Sequence, residues 1–360
     1  MTSLSDIPGG ASNTAIKAYI QDAYDTWPTP PSYVLLVGDT DTIPGWNSQS
    51  AGEVTDLYYA TMDGSSDWVP DIERGRFPVR SASQTTLLVD KYVAYANLSG
   101  NEAWLKEAAF IGTCDSSNYQ TAEGTHNYVI DTHTGPADYT GDFPNANQYG
   151  GDKLYCITYN AGTSQVRTAV NDGRWTVIYS GHGSNYSWGG PSFGQSDVRN
   201  ITSNGVLPFV ASFACITGDF ALSECFGETW VIQQDKGALV YLGSSDSSYW
   251  GEDDEMERRM FDSIFSSPQP SIGTAIYAGL TGVQQKYPGQ ARYYWETYNI
   301  LGDPSLKLNM GDGPGPPPAA PTDLAAAADS HSQIDLTWTD NADNEASFEI
   351  QRKTGSGVFA

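Results

Sequence analysis

The chain has 360 residues, long enough for about two or three packed units, and its 18 basic against 43 acidic residues give a net charge of −25. So acidic a surface repels phosphate backbones and anionic lipid, which excludes nucleic acid as a natural partner. No stretch of about 18 apolar residues occurs, so no membrane span is expected.

The opening MTSLSDIPGG is neither basic nor apolar, so no signal peptide is expected. The run YVLLVG (33–38) comes next, then a set of carboxylates, Asp39, Asp41, Asp56, Asp63, Asp67 and Asp71, between GDTD and DIERGRF. Hard oxygen ligands at that density are compatible with a structural Ca²⁺. The same residue types also serve as turn and capping groups, which is the expected role for most of them. In QTTLLVDKYVAYANL (84–98), Leu87, Leu88, Lys91, Tyr92 and Tyr95 fit a helical period.

Four further apolar runs come after it: AAFIGT (108–113), WTVIYSG (175–181), LPFVASFA (207–214) and GALVYLGS (237–244). Their hydrophobicity is continuous rather than alternating, as in strands of a parallel sheet covered on both faces. Helix-like stretches, ALSECFGETWVIQQ (221–234) and EDDEMERRMFDSIF (252–265), lie among them. Alternating β and α units predict an α/β fold with a doubly wound, mostly parallel sheet. Residues 1–105 are expected to form an amino-terminal α/β subdomain, incomplete as it stands, and 106–310 the second subdomain. GDGPGPPPAAP (311–321) is too rich in Pro and Gly to pack as helix or strand and reads as a linker. Beyond it, IDLTWT (334–339) and SFEIQRK (347–353) alternate with period two, the pattern of half-buried antiparallel strands.

Ligands of open α/β sheets bind beyond the carboxyl ends of the strands, so the residues just past each apolar run matter most. After AAFIGT come Cys114 and Asp115; after WTVIYS comes Gly181-His182-Gly183; after LPFVASFA comes Cys215; after GALVYLGS come Asp246 and Trp250. If these strands are parallel neighbours, a carboxylate, an imidazole and a thiol reach one edge. An imidazole next to a thiol shifts it toward thiolate and can protonate a leaving amine, and a carboxylate such as Asp115 can orient the ring. Backbone N–H groups of Gly183 and Cys215 are candidate oxyanion donors. Each residue also has a plainer reading. Cys215 is a small core residue, His182 a structural side chain in a Gly-flanked turn, and Asp115 a cap for the next helix.

The other cysteines (Cys114, Cys156, Cys225) are too few for a disulfide scaffold and match no zinc spacing. Four histidines are too few to predict a histidine-built metal cluster, and no metal is assigned to the catalytic residues. No GxGxxG lies after a strand, since GHGSNY breaks the pattern, and no cofactor is required.

An apolar block ending in HG, followed by one ending in AC, resembles the caspase–gingipain clan. YSGHGSNYSWGGPSFG, LPFVASFACITGDF and CFGETW are similar to the gingipain (C25) peptidase family, as are VLLVGDTDTIP, DIERGRFPVRS and NILGDPSLKL. The resemblance covers about residues 1–310. It implies a secreted or cell-surface cysteine endopeptidase acting on proteins or peptides, with Cys215 as nucleophile, His182 as acid and base, and Gly183 and Cys215 as oxyanion donors. Asp115 takes the place of the family's acidic third member, shortened from a glutamate. The family aspartate that binds a basic P1 side chain falls near His126 here, so Arg specificity does not transfer. Trp250 matches a tryptophan lining that pocket, and Glu252, Asp253 and Asp254 after it either attract a basic side chain or form an acidic first turn of helix. Two rival activities accompany the resemblance: a sortase-like transpeptidase of a type IX secretion system, and a non-catalytic adhesion or scaffold protein. The stretch PTDLAAAADSHSQIDLTWTDNADNEASFEIQR resembles the first strands of a fibronectin type III domain, with Trp338 as its core tryptophan. As a partial β-sandwich, 322–360 is not expected to fold stably alone.

Overall fold

The computed structural model describes residues 1–311, 320–328, 330 and 333–341. Residues 1–311 form one compact unit. Its centre is an eight-stranded sheet. In chain order the strands are β1 (Tyr33–Val37), β2 (Glu73–Phe77), β3 (Ala108–Gly112), β4 (Asp152–Tyr155), β5 (Thr176–Ser180), β6 (Phe209–Phe213), β7 (Val240–Ser244) and β8 (Tyr298–Leu301). Their order across the sheet is β1-β2-β8-β7-β6-β5-β3-β4. Every neighbouring pair is parallel except β7 with β8. The first three strands of that order therefore run opposite to the other five. The boundary expected near residue 105 does not interrupt the sheet: β2 joins β8 through Arg76 and Leu301.

Alternation along each strand sends side chains to opposite faces. Phe110, Ile178, Ala211 and Leu242 enter one core with Met256, Met260, Phe261 and Ile264. Ala109, Ile111, Val177, Tyr179, Val210 and Tyr241 enter the other with Val166, Phe226 and Trp230. Both faces are dry, which is why the sequence shows continuous apolar runs.

The helices include α1 (Asn13–Thr26), α2 (Ala82–Ala96), α3 (Tyr119–Val129), α4 (Thr163–Asp172), α5 (Phe226–Val231), α6 (Trp250–Ile264), α7 (Ile272–Lys286) and α8 (Ala291–Thr297). Ser81 starts α2 by accepting the Gln84 N–H at 3.3 Å. The helix expected over 221–234 is shorter. Glu228 accepts the Cys225 N–H at 2.6 Å and caps the helix there, so 221–225 stay outside it. Burial raises the Glu228 carboxyl to a pKa of about 8.

Strand β2 carries charge into the interior. Arg76 is fully buried and donates to both oxygens of Asp56, at 2.8 and 2.6 Å, and to the carbonyls of Gly38 and Ile43. Pairing of this kind is what makes a buried guanidinium tolerable. Three of the other amino-terminal carboxylates are engaged as well. Asp39 pairs with Arg80, Asp71 accepts the Met62 N–H, and Asp67 accepts the N–H groups of Asp63 and Val69.

After Gly311 the described residues include an antiparallel pair, β9 (Thr322–Ala328) and β10 (Ile334–Thr339), with Trp338 half-buried. The strand expected over 347–353 lies outside the described residues.

Candidate active site

Strand register brings the site together. Ser180, the last residue of β5, is paired with Phe213 at the end of β6 and with Gly112 at the end of β3. His182 and Cys215 each lie just beyond these paired ends, on adjacent strands, and Asp115 extends from the third.

His182 Nε2 is 3.1 Å from Asp115 Oδ2. The imidazole is 62% exposed, open to an incoming molecule, whereas the carboxylate is 20% exposed. Asp115 is held independently of the histidine: Asn118 Nδ2 donates to Oδ2 at 2.8 Å and the Ser117 N–H to Oδ1 at 2.7 Å. These donors, Asn118 foremost, then Ser117 with a contribution from His182, lower its pKa to about 2. Asp115 thus shapes the turn before α3 and faces the imidazole at once.

The histidine backbone is clasped as well. Tyr179 Oη donates to the His182 carbonyl at 2.8 Å, and the Gly189 N–H reaches the same oxygen at 2.7 Å. The Trp250 ring meets the imidazole edge-on, with centroids 5.6 Å apart.

Cys215 is half-buried and a free thiol. The Ser248 N–H points at its Sγ from 3.4 Å. The next residue, Ile216, has φ +52°. A β-branched residue in the left-handed region stores about 1–3 kcal/mol and persists only where its surroundings fix it. Here the Ile216 N–H is tied to the Asp246 carbonyl at 2.9 Å.

Gly183 is required by close approach rather than by its φ. A Cβ there would lie 2.6 Å from the Cys215 carbonyl oxygen and 2.7 Å from Thr217 Cγ2. The histidine turn and the cysteine turn therefore touch through backbone, with no room for a side chain between them.

A family profile, peptidase family C25, matches residues 1–309. The chain belongs to peptidase family C25. A Lys-gingipain of Porphyromonas gingivalis is 29% identical over 327 residues, which is 82% of this chain and 18% of that protein. Gingipain R2 of the same organism is 26% identical over 340 residues, 90% of this chain and 44% of that one. The chain thus spans about a fifth of the length of the Lys-gingipain relative. The crystal structure of the Arg-specific cysteine proteinase gingipain R has a TM-score of 0.75 at 24% identity, covering 91% of this chain and 74% of its own. That likeness shows a shared fold.

In this C25 family member the residues expected to select substrate separate. Trp250 stands beside His182, as described. His126 does not line a pocket: it is fully buried, with Nδ1 2.8 Å from Glu257 and Nε2 3.1 Å from the Ile111 carbonyl. Phe110 and Tyr155 flank its ring, so it serves as a core imidazole between α3, α6 and the sheet. Asp253 is buried and accepts from Tyr294 Oη at 3.0 Å and Tyr298 Oη at 2.6 Å. Desolvation raises its pKa to about 7 against those hydrogen bonds. Tyr294 Oη also accepts the Tyr249 N–H at 2.9 Å, so Asp253 anchors the turn that carries Ser248 and Trp250. Asp254 pairs with Arg258 at 2.8 Å and with Thr125, while Glu252 is half-exposed.

Sequence reasoning missed four contributors: Tyr179, Ile216, Ser248 and the disulfide Cys114–Cys156. None had a local signal, because each acts through a backbone position or a distant partner. Among the described residues no group of three or more His, Cys, Asp or Glu side chains converges to hold a metal ion. No helix among them is long and apolar enough to cross a membrane.

Proposed function

We propose that the chain is a cysteine endopeptidase with Cys215 as nucleophile and His182 as acid and base. The observation carrying this reading is the placement of thiol and imidazole just beyond registered strand ends, with the imidazole held on Asp115 at 3.1 Å. The Cys215 thiolate attacks the scissile carbonyl carbon. The resulting oxyanion is received by the N–H groups of Gly183 and Cys215. His182 then gives its proton to the leaving amine, and a thioester remains. Water deprotonated by His182 attacks that thioester, and collapse releases the acid and restores the Cys215 thiolate, with the proton taken from water left on His182 for the next cycle. Asp115, whose carboxyl is held down at a pKa of about 2, orients the ring. Nucleophile, acid and base all come from this chain, so the reaction as proposed requires no cofactor.

Substrates are proteins or peptides, and Trp250, set against His182, borders the position of the P1 side chain. A secreted or cell-surface location agrees with the disulfide Cys114–Cys156, since such bonds persist in oxidising compartments. The antiparallel pair β9–β10 with Trp338 fits the opening of a fibronectin type III module.

The test is labelling by a peptidyl acyloxymethyl ketone, then cleavage-site profiling of a peptide library. One thiol should be alkylated, at Cys215, and Cys215→Ala should lose both label and cleavage. Labelling of wild type no better than Cys215→Ala would refute the enzyme reading. Hydrolysed product is expected even with an added amine nucleophile; ligated product in its place would make the protein a transpeptidase.

A further inference from the structure

We propose that the Cys114–Cys156 disulfide is a positioning element of the site, bracing both the strand end that carries Asp115 and the segment that clasps His182. The proposal rests on the peptidase reading above. Cys114 is the residue immediately before Asp115, and Cys156 comes immediately after β4. Strands β3 and β4 are paired, with Gly112 opposite Tyr155, so the bond closes the carboxyl ends of the last two strands of the sheet. An edge strand is held by a ladder on one side only. Here the free end of that edge is tied covalently to the turn bearing the carboxylate, across a separation of 42 residues.

The same bridge touches the histidine side. The Cys114 N–H donates to the Gly190 carbonyl at 3.1 Å. A Cβ on Gly190 would lie 3.0 Å from Cys114 Cβ and 3.1 Å from its Sγ, so this segment is packed directly on the disulfide. Gly189, one residue earlier, donates to the His182 carbonyl, and Tyr179 Oη bonds both that carbonyl and the one of Gly190. One crosslink therefore abuts the backbone supports of both members of the imidazole–carboxylate pair. Other contacts keep the chain in place without it: Thr158, in the short helix Cys156–Tyr159, bonds Glu123 on α3 through N–H and hydroxyl. Opening the bond should loosen the alignment rather than unfold the protein.

Cys114 is exposed and Cys156 half-exposed, so a thiol reductant can reach the bond, whereas Cys225 is fully buried. Reduction by a thiol pair breaks the S–S bond. Two electrons and two protons pass to Cys114 and Cys156, and the reductant leaves as its own disulfide. Reducing conditions then have two opposed effects: they keep Cys215 as a thiol, and they open the brace.

The experiment compares the full chain with Cys114→Ser/Cys156→Ser, each with and without Asp115→Asn. Thermal stability, kcat and KM on a peptide substrate, and the rate of acyloxymethyl ketone labelling are measured across pH. The double serine variant should stay folded and label completely at Cys215, while kcat falls about ten- to a hundredfold with KM little changed. Its pH profile should move as that of Asp115→Asn does, and combining the changes should add little, because both act on one alignment. An unchanged kcat, or a loss that multiplies with that of Asp115→Asn, would overturn the brace. Wild type that fails to label at all would instead overturn the peptidase reading. Should the serine variant not fold, activity of wild type is tracked across glutathione thiol/disulfide ratios. It should fall as Cys114 and Cys156 become alkylatable, and activity indifferent to that opening would refute the proposal.

Discussion

Asp115 reaches His182 with one carboxylate oxygen, Oδ2 at 3.1 Å from Nε2, while Asn118 and Ser117 already fix the group in place. The shorter aspartate side chain thus makes the contact because its own turn delivers it. Asp115→Asn should lower kcat about ten- to a hundredfold with little change in melting temperature. The carboxyl pKa is depressed to about 2, so the stability gained from its ionised form is present above the ordinary value and lost only as pH falls through about 2. A kcat/KM profile between pH 4 and 9 should therefore show no ionisation of Asp115. Unchanged activity in the asparagine variant would leave it a turn residue.

Gly183→Ala should be far more damaging than its size implies. The added methyl would press on the Cys215 carbonyl and on Thr217, moving the cysteine turn away from the histidine turn. Loss of one oxyanion donor costs about 10²–10³ in rate, and kcat should fall by that order while the protein still folds. Near-normal turnover would show that the two turns can part without consequence.

Asp253 gives a pH signature. Its folded pKa, about 7, lies above the ordinary aspartate value. Its contribution to stability is thus complete below that ordinary value and disappears as pH rises through about 7. Asp253→Asn, which mimics the protonated acid, should gain melting temperature relative to wild type between pH 5 and pH 8. A difference independent of pH would sink this assignment.

The Asp56–Arg76 pair makes a stability prediction. Asp56→Ala leaves the buried guanidinium without its carboxylate and should cost about 3–5 kcal/mol, read by denaturant unfolding. A cost below about 1 kcal/mol would mean that the Gly38 and Ile43 carbonyls suffice.

Most of the central strands, and the residues that lie at their ends, were legible in the sequence alone. Continuous apolar runs located β3, β5, β6 and β7, because burial on two faces leaves no polar alternation, and also the edge strand β1, which is partly exposed. The residues just past them proved to be spatial neighbours, because parallel pairing in register aligns strand ends. Long-range packing was needed for the remainder. Strand β2 was hidden by the charges of Glu73, Arg74 and Arg76, which are acceptable inside because partners such as Asp56 come from other segments. His126, placed at a substrate pocket by its distance along the chain, is turned into the core by the helical period of α3 and held there by Glu257. Of the two readings the sequence allows for Asp253 and Asp254, bait for a basic side chain or an acidic start of a helix, the structure has them near the start of α6, one under two tyrosines and the other paired with Arg258. The disulfide beside Asp115 likewise depends on β3 and β4 lying side by side, which no spacing of cysteines reveals. Local pattern reports how each segment meets solvent; which distant group meets it is settled only by the folded chain.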